Sequence, residues 1–171
     1  PELYAQKLMN NVSFLNEVRA FAETNKPIIA ECGGMLYLLD QLTDMSEQKF
    51  SMLGLMPGKA VMQKKLASIG SQRVDLSQLY RSDVLHADDD TTDDGTKGES
   101  TNGDDEAACV MRGHSFHYSS AEVDLEPIAQ TKHHPSERLG EFVYQHNNIL
   151  ASYMHWYLPS NPALSLRLFD K

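Results

Sequence analysis

The segment P-I-I-A-E-C-G-G-M-L-Y-L-L, Pro27 to Leu39, constrains this chain more than any other. The apolar run from Pro27 to Ala30 reads as a buried strand. Gly33 and Gly34 follow Cys32, and Met35 to Leu39 reads as the first turns of a helix. Strand, glycine turn and helix in that order imply an α/β fold with Cys32 at the carboxyl end of a strand. Open α/β sheets bind ligands at that end. A sharp turn there exposes the side chain and points the next backbone N–H groups at whatever it attacks. A helix N-terminus also favours the thiolate over the thiol. The same pattern suits a small buried hydrophobe before a glycine turn, so the local sequence leaves both readings open.

The rest of the chain extends that start. Glu2 to Thr24 reads as helix, with apolar residues at Leu3, Tyr4, Leu8, Val12, Leu15, Val18 and Phe21, close to a 3.6-residue spacing. Asn25-Lys26-Pro27 ends it. The helix after Cys32 is expected to run to about Gln41, followed by a short apolar run, Leu53 to Met56, closed by Pro57-Gly58. Ala60 to Leu66 and Ile69 to Leu76 read as a pair of strands with a turn near Ser68. Ala107 to Met111, His114 to Tyr118 and Ala121 to Leu125 read as extended. Gly140 to Tyr144 and Ile149 to Tyr153 read as a hairpin turning through Gln145-His146-Asn147-Asn148. Asn161 is a plausible N-cap, before Pro162, for a last helix to Asp170.

Composition bounds the function. At 171 residues the chain suits one domain, 1–171. Its net charge is −9, yet Arg81 to Glu106 carries ten acidic and two basic residues, so the remainder is near −1. That segment is poor in apolar residues and reads as a disordered acidic insertion. Counting from Asp90, a calcium loop would need glutamate where Thr101 stands, so an EF-hand is excluded. No basic patch suggests nucleic acid or anionic lipid, and no apolar run is long enough for a membrane span. Two cysteines, Cys32 and Cys109, without framework spacing fit a reducing cytoplasm. The start at Pro1 reads as a cut from a longer polypeptide.

A nucleophilic cysteine needs a base, usually histidine. His155 follows A-S-Y-M, the end of a strand-like run, and so belongs at the sheet rim, where Cys32 is also expected. R-G-H-S-F-H-Y-S, Arg112 to Ser119, reads as a substrate-lining strand in which Gly113 lets backbone approach a ligand or bends the strand. His114, Ser115, Phe116 and His117 are its candidate contacts. Zinc held by Cys109, His114, His117, His133 and His134 is the competing reading, but their spacing matches no compact zinc motif. No resident metal is expected.

Together A-E-C-G-G-M-L-Y-L, R-G-H-S-F-H-Y-S and A-S-Y-M-H-W-Y resemble, in order and spacing, the glutaminase domain of the cobyrinic acid a,c-diamide synthases. The opening P-E-L-Y-A-Q-K-L resembles the start of that domain's second half. The resemblance implies a class I glutamine amidotransferase with a flavodoxin-like α/β core, a mixed sheet with an antiparallel extension, and missing N-terminal strands. It implies Cys32 as nucleophile, His155 as general base and then acid, and Gly33 N–H, beside Gly34 in the elbow, as an oxyanion donor. A second donor would lie in a glycine-rich loop before the P-E-L segment. Implied partners are glutamine, a synthetase domain that receives the ammonia and holds ATP and magnesium, and a corrinoid whose a and c carboxylates are amidated. The pathway would be cobalamin biosynthesis, with a homodimer as one option for the assembly and no cofactor in this segment. Alone, the segment is expected to be nearly inactive.

Three positions depart from the wider pattern. Tyr157 stands where many class I glutaminases have glutamate, which leaves a Cys–His dyad as the simpler expectation. Ala30 replaces a frequent glycine, and Ser115 a frequent glutamate whose role would be lost. The alternatives are the glutaminase of cobyric acid synthase or of nickel sirohydrochlorin a,c-diamide synthase, and a degenerate module in which Cys32 is structural.

Overall fold

The computed structural model describes residues 3–79 and 109–169. The acidic segment 81–106 lies outside the described residues. In chain order the elements are α1 (Ala5–Asn10), α2 (Val12–Ala22), β1 (Ile28–Glu31), α3 (Gly33–Leu38), β2 (Gln41–Thr43) and β3 (Lys49–Ser51). They continue with β4 (Gly58–Met62), β5 (Ser68–Asp75), β6 (Val110–His117), β7 (Ser119–Val123) and β8 (Ala129–His133). The last are β9 (Leu139–His146), β10 (Ile149–Ser152), β11 (His155–Trp156), a 3-10 turn (Leu158–Ser160) and α4 (Pro162–Phe169).

The first helix is broken in two. Asn11 leaves helical geometry (φ −84°, ψ 70°) and its side chain accepts a hydrogen bond from Phe14 N at 3.3 Å. Asparagine competes with the helix in this way, so it ends α1 and caps α2. The helix after Cys32 also stops early, at Leu38. Leu39 is extended, and Asp40 Oδ2 accepts from Gly58 N at 2.9 Å. The chain can therefore enter β2 directly. Leu53 to Met56 stays irregular and packs its backbone on the end of α3, through bonds from Leu53, Gly54, Leu55 and Met56 N to carbonyls of residues 37–39.

Two mixed sheets result. The larger runs β1-β10-β9-β8-β5-β6-β11, with β1 parallel to β10 and the other pairs antiparallel. The smaller runs β3-β2-β4-β7. The expected pairing of β4 with β5 does not occur: β4 pairs with β2 and β7, and β5 with β6 and β8. Of the expected extended segments 107–111 and 114–118, residues 107–108 lie outside the described residues and the rest contribute to one strand, β6. The 140–153 hairpin forms, turning through Asn147 at φ 53°, a left-handed conformation that asparagine tolerates better than most residues. The final helix forms too, with the Asn161 side chain accepting from Leu164 N at 3.0 Å.

β10 is buried at every position. Ile149 and Ala151 join an apolar cluster with Met35, Leu36, Leu38, Leu39 and Tyr153; Leu150 joins another with Met154, Trp156, Leu164 and Leu168. A strand covered by α3 on one face and α4 on the other is the doubly covered centre of an α/β fold. The architecture is that of the flavodoxin-like class I glutaminase core, extended by antiparallel strands. Among the described residues no helix is long and apolar enough to cross a membrane.

Candidate active site

Cys32 leaves β1 with φ 47° and ψ −111°, a backbone that a non-glycine residue holds only where its surroundings impose it, at a cost of about 1–3 kcal/mol. Here both flanks impose it. Cys32 N donates to the Ser152 carbonyl at 2.8 Å, continuing the β1–β10 ladder, and Leu36 N donates to the Cys32 carbonyl at 3.1 Å, opening α3. Gly33 begins that helix, where N–H groups have no intrahelical acceptor. Ala30 lies beneath Gly34: a Cβ at 34 would be 4.0 Å from the Ala30 Cβ. Alanine is thus accommodated at the start of the elbow.

His155 does not sit at the end of β10. Met154 is fully buried and its N–H donates to Ser152 Oγ at 3.1 Å. The chain turns there, and His155 opens β11 against β6, opposite His114, with Trp156 opposite Gly113. Gly113 is what allows this. A Cβ there would overlap the His155 carbonyl and lie 2.7 Å from Met154 Cε. The backbone that Gly113 admits is that of the His155 strand. The imidazole of His114 stacks on that of His155, centroids 5.1 Å apart and planes at 21°.

β1 and β11 occupy opposite ends of the seven-stranded order, yet their residues meet. Glu31 Oε1 accepts from Trp156 N at 2.9 Å, and Glu31 Oε2 lies 3.5 Å from His155 Nδ1. The sheet therefore curls until its two edges face each other, and the Cys32 corner and His155 flank the seam. A second link runs through β6: Cys32 Sγ is 4.0 Å from the Phe116 carbonyl oxygen, two residues beyond His114.

The R-G-H-S-F-H-Y-S strand divides by side. His114 and Phe116 are exposed, whereas Ser115 and His117 point into the protein. Ser115 Oγ is bonded to Ser68 Oγ at 2.9 Å and accepts from Gln72 Nε2 at 2.5 Å. His117 Nδ1 donates to the Ser119 carbonyl at 2.9 Å, its Nε2 faces Glu141 Oε1 at 3.2 Å, and its ring stacks on Tyr153 with centroids 3.7 Å apart. Burial alone would raise the Glu141 pKa. Hydrogen bonds from His117, Ser68 and Ser115, with the His117 charge, outweigh burial and bring it to about 2. A carboxylate thus stands against Ser115 after all, brought by β9. Burial raises the Tyr153 phenol far above its usual range, against the Ser119 hydrogen bond, and nearby Cys32 and Glu141 add to the rise. Tyr153 stays a neutral phenol near Cys32.

The histidines of the zinc reading go to separate partners: His114 to His155, His117 to Ser119 and Glu141, His133 to Gln72 at 3.4 Å. Among the described residues no group of three or more His, Cys, Asp or Glu is placed to hold a metal. Sequence reasoning passed over Glu31, Glu141 and Tyr153. Only Glu31 carried a signal, as a charge ending an apolar strand beside the cysteine.

Residues 1–163 match the CobB/CobQ-like glutamine amidotransferase domain family. The chain belongs to this family. It is 37% identical over 168 residues to the hydrogenobyrinate a,c-diamide synthase of Stutzerimonas stutzeri, covering 98% of this chain and 32% of that protein. It is 35% identical over 170 residues to the cobyrinate a,c-diamide synthase of Herminiimonas arsenicoxydans, covering 99% of this chain and 32% of that protein. The namesake from Priestia megaterium is 31% identical over 166 residues, 94% of this chain and 30% of that protein. The chain spans about a third of the length of these relatives.

Proposed function

We propose that this chain is the glutaminase part of an ATP-dependent a,c-diamide synthase acting on cobyrinate or hydrogenobyrinate in cobalamin biosynthesis, in the cytoplasm. The observation that carries the reading is the seam: Glu31, the residue before the left-handed Cys32 corner, stands 3.5 Å from His155 Nδ1, so the far edge of the same sheet is brought up to that corner. His155 takes the Cys32 proton as Sγ bonds to the side-chain amide carbon of glutamine. The carbonyl oxygen becomes an oxyanion, for which Gly33 N–H is a donor. Collapse breaks the C–N bond, and the leaving nitrogen takes the proton from His155 and departs as ammonia. Water, giving a proton to His155, then splits the thioester to glutamate and returns the thiol. Exposed His114, stacked on His155, and exposed Phe116, two residues along β6, are the strand's candidate glutamine contacts, with Gly113 setting the strand spacing and buried Ser115 and His117 supporting from beneath.

ATP and Mg2+ would serve the amidation. In this reading the synthetase domain would hold both, and the part of this chain is to bind glutamine and release ammonia to it. The name-bearing relatives are the ground for the corrinoid acceptor. The test is glutamate release from glutamine by the chain joined to its synthetase domain, since the segment alone is expected to be nearly inactive, together with labelling by a glutamine-like diazoketone. Labelling confined to Cys32, and loss of both signals in Cys32→Ser, are expected. An unlabelled Cys32 with no glutamate released would sink the reading in favour of a docking module.

A further inference from the structure

The resemblance leaves the base without an acidic partner, since Tyr157 occupies the expected position and is largely exposed. The structure supplies a different carboxylate. We infer that Glu31, the residue before the nucleophile, is the positioning residue of His155; this rests on the amidotransferase reading above. Its two oxygens are already divided between two tasks. Oε1 is anchored by the Trp156 N–H at 2.9 Å, and Oε2 stands 3.5 Å from His155 Nδ1. The anchor comes from the residue after the histidine, so the carboxylate grips the backbone and the ring of β11 together. A carboxylate accepts and cannot donate, so Nδ1 must carry the proton facing it, which leaves Nε2 as the basic nitrogen. Donor–acceptor distances of this length are common in resting catalytic sites and shorten in the reacting complex.

Two further features fit the role. The His114 ring lies against the flat face of His155, so the ring is held from its face by β6 and from its Nδ1 edge by β1. Glu31 and His114 are two titratable groups that face His155. Glu31 also belongs to the strand that ends in Cys32, so any movement of the corner moves the carboxylate with it. One residue couples the placement of the base to that of the nucleophile.

Glu31→Gln is the informative variant. Its Oε1 still accepts from Trp156 N–H, so its NH2 faces Nδ1 and drives the proton to Nε2, the wrong tautomer. In the full chain kcat for glutamine hydrolysis should fall about 10²-fold or more, with KM changed less than about twofold and the melting midpoint retained. The ring 15N shifts of His155, read where the ring is neutral, should report Nδ1–H in the wild type and Nε2–H in the variant. Wild-type kcat in Glu31→Gln, a tautomer unchanged by it, or a loss of activity matched by a loss of folded protein overturns the proposal. The tautomer measurement does not need turnover. A wild-type chain joined to its synthetase domain that shows Nδ1–H and its reversal in Glu31→Gln, but releases no glutamate, would refute the amidotransferase reading while retaining the Glu31–His155 coupling.

Discussion

Two histidine–carboxylate pairs sit in the same seven-stranded sheet and are built differently. At the seam, His155 faces Glu31 at 3.5 Å and each side chain is 36% exposed. Inside, His117 faces Glu141 at 3.2 Å with 8% and 12% exposure, surrounded by two serines, a stacked tyrosine and the Ser119 carbonyl. A buried pair whose hydrogen bonds are satisfied rigidifies the strands that carry it. A half-exposed pair with one long contact can gain and lose a proton as a reaction proceeds. Under the proposed function, the contrast would separate chemistry from support within one sheet.

The sharpest way to break that contrast is to remove each histidine's function in turn. His155→Ala should lower glutamine turnover by about 10⁴-fold or more and leave the urea midpoint almost unchanged. Equal losses of stability and activity would erase the distinction. On the buried side, Glu141→Ala removes the carboxylate facing His117 Nε2 and bonded to Ser115 and Ser68, and should cost about 3–5 kcal/mol in urea unfolding. The buried pair should also leave a mark in acid. The Glu141 pKa falls from 4.5 to about 2 on folding, so its contribution is complete above the unfolded value and is lost as pH drops through the folded one. Stability of the wild type should therefore decline between about pH 4.5 and pH 2, and Glu141→Gln should flatten that decline in melting curves.

Smaller effects should come from the glycines. Gly113→Ala forces its methyl into the His155 carbonyl, so about 1–3 kcal/mol of stability should be lost, with kcat falling about 10²-fold as the base shifts. Gly34→Ala meets only ordinary contact with Ala30 and should change unfolding free energy by less than about 0.5 kcal/mol. If the two alanine variants unfold alike, close approach at 113 is not what seats β11.

The same division explains what the sequence discloses. The Cys32 corner, the β9–β10 hairpin and α4 are legible because apolar periodicity, turn residues and a cap all agree at those places. β8 is not, since its inward residues are Thr131 and His133 where a core strand is expected to show hydrophobes. On β5 and β6 the inward Gln72, Ser115 and His117 blur the alternation in the same way. β2 and β3 are three residues each, too short for a period to show. Glu31 is legible as a charge but not as a partner, because Trp156 stands 125 residues further on and only the curled sheet brings them together.

That curl also sets an order in time. During synthesis β1 emerges long before β11, and the strands between them must all be laid down before the two edges can meet. The proposed nucleophile and its base are thus kept apart until β11 has been made. Glutamine would not be spent before then, and the first turnover would report that β11 has docked.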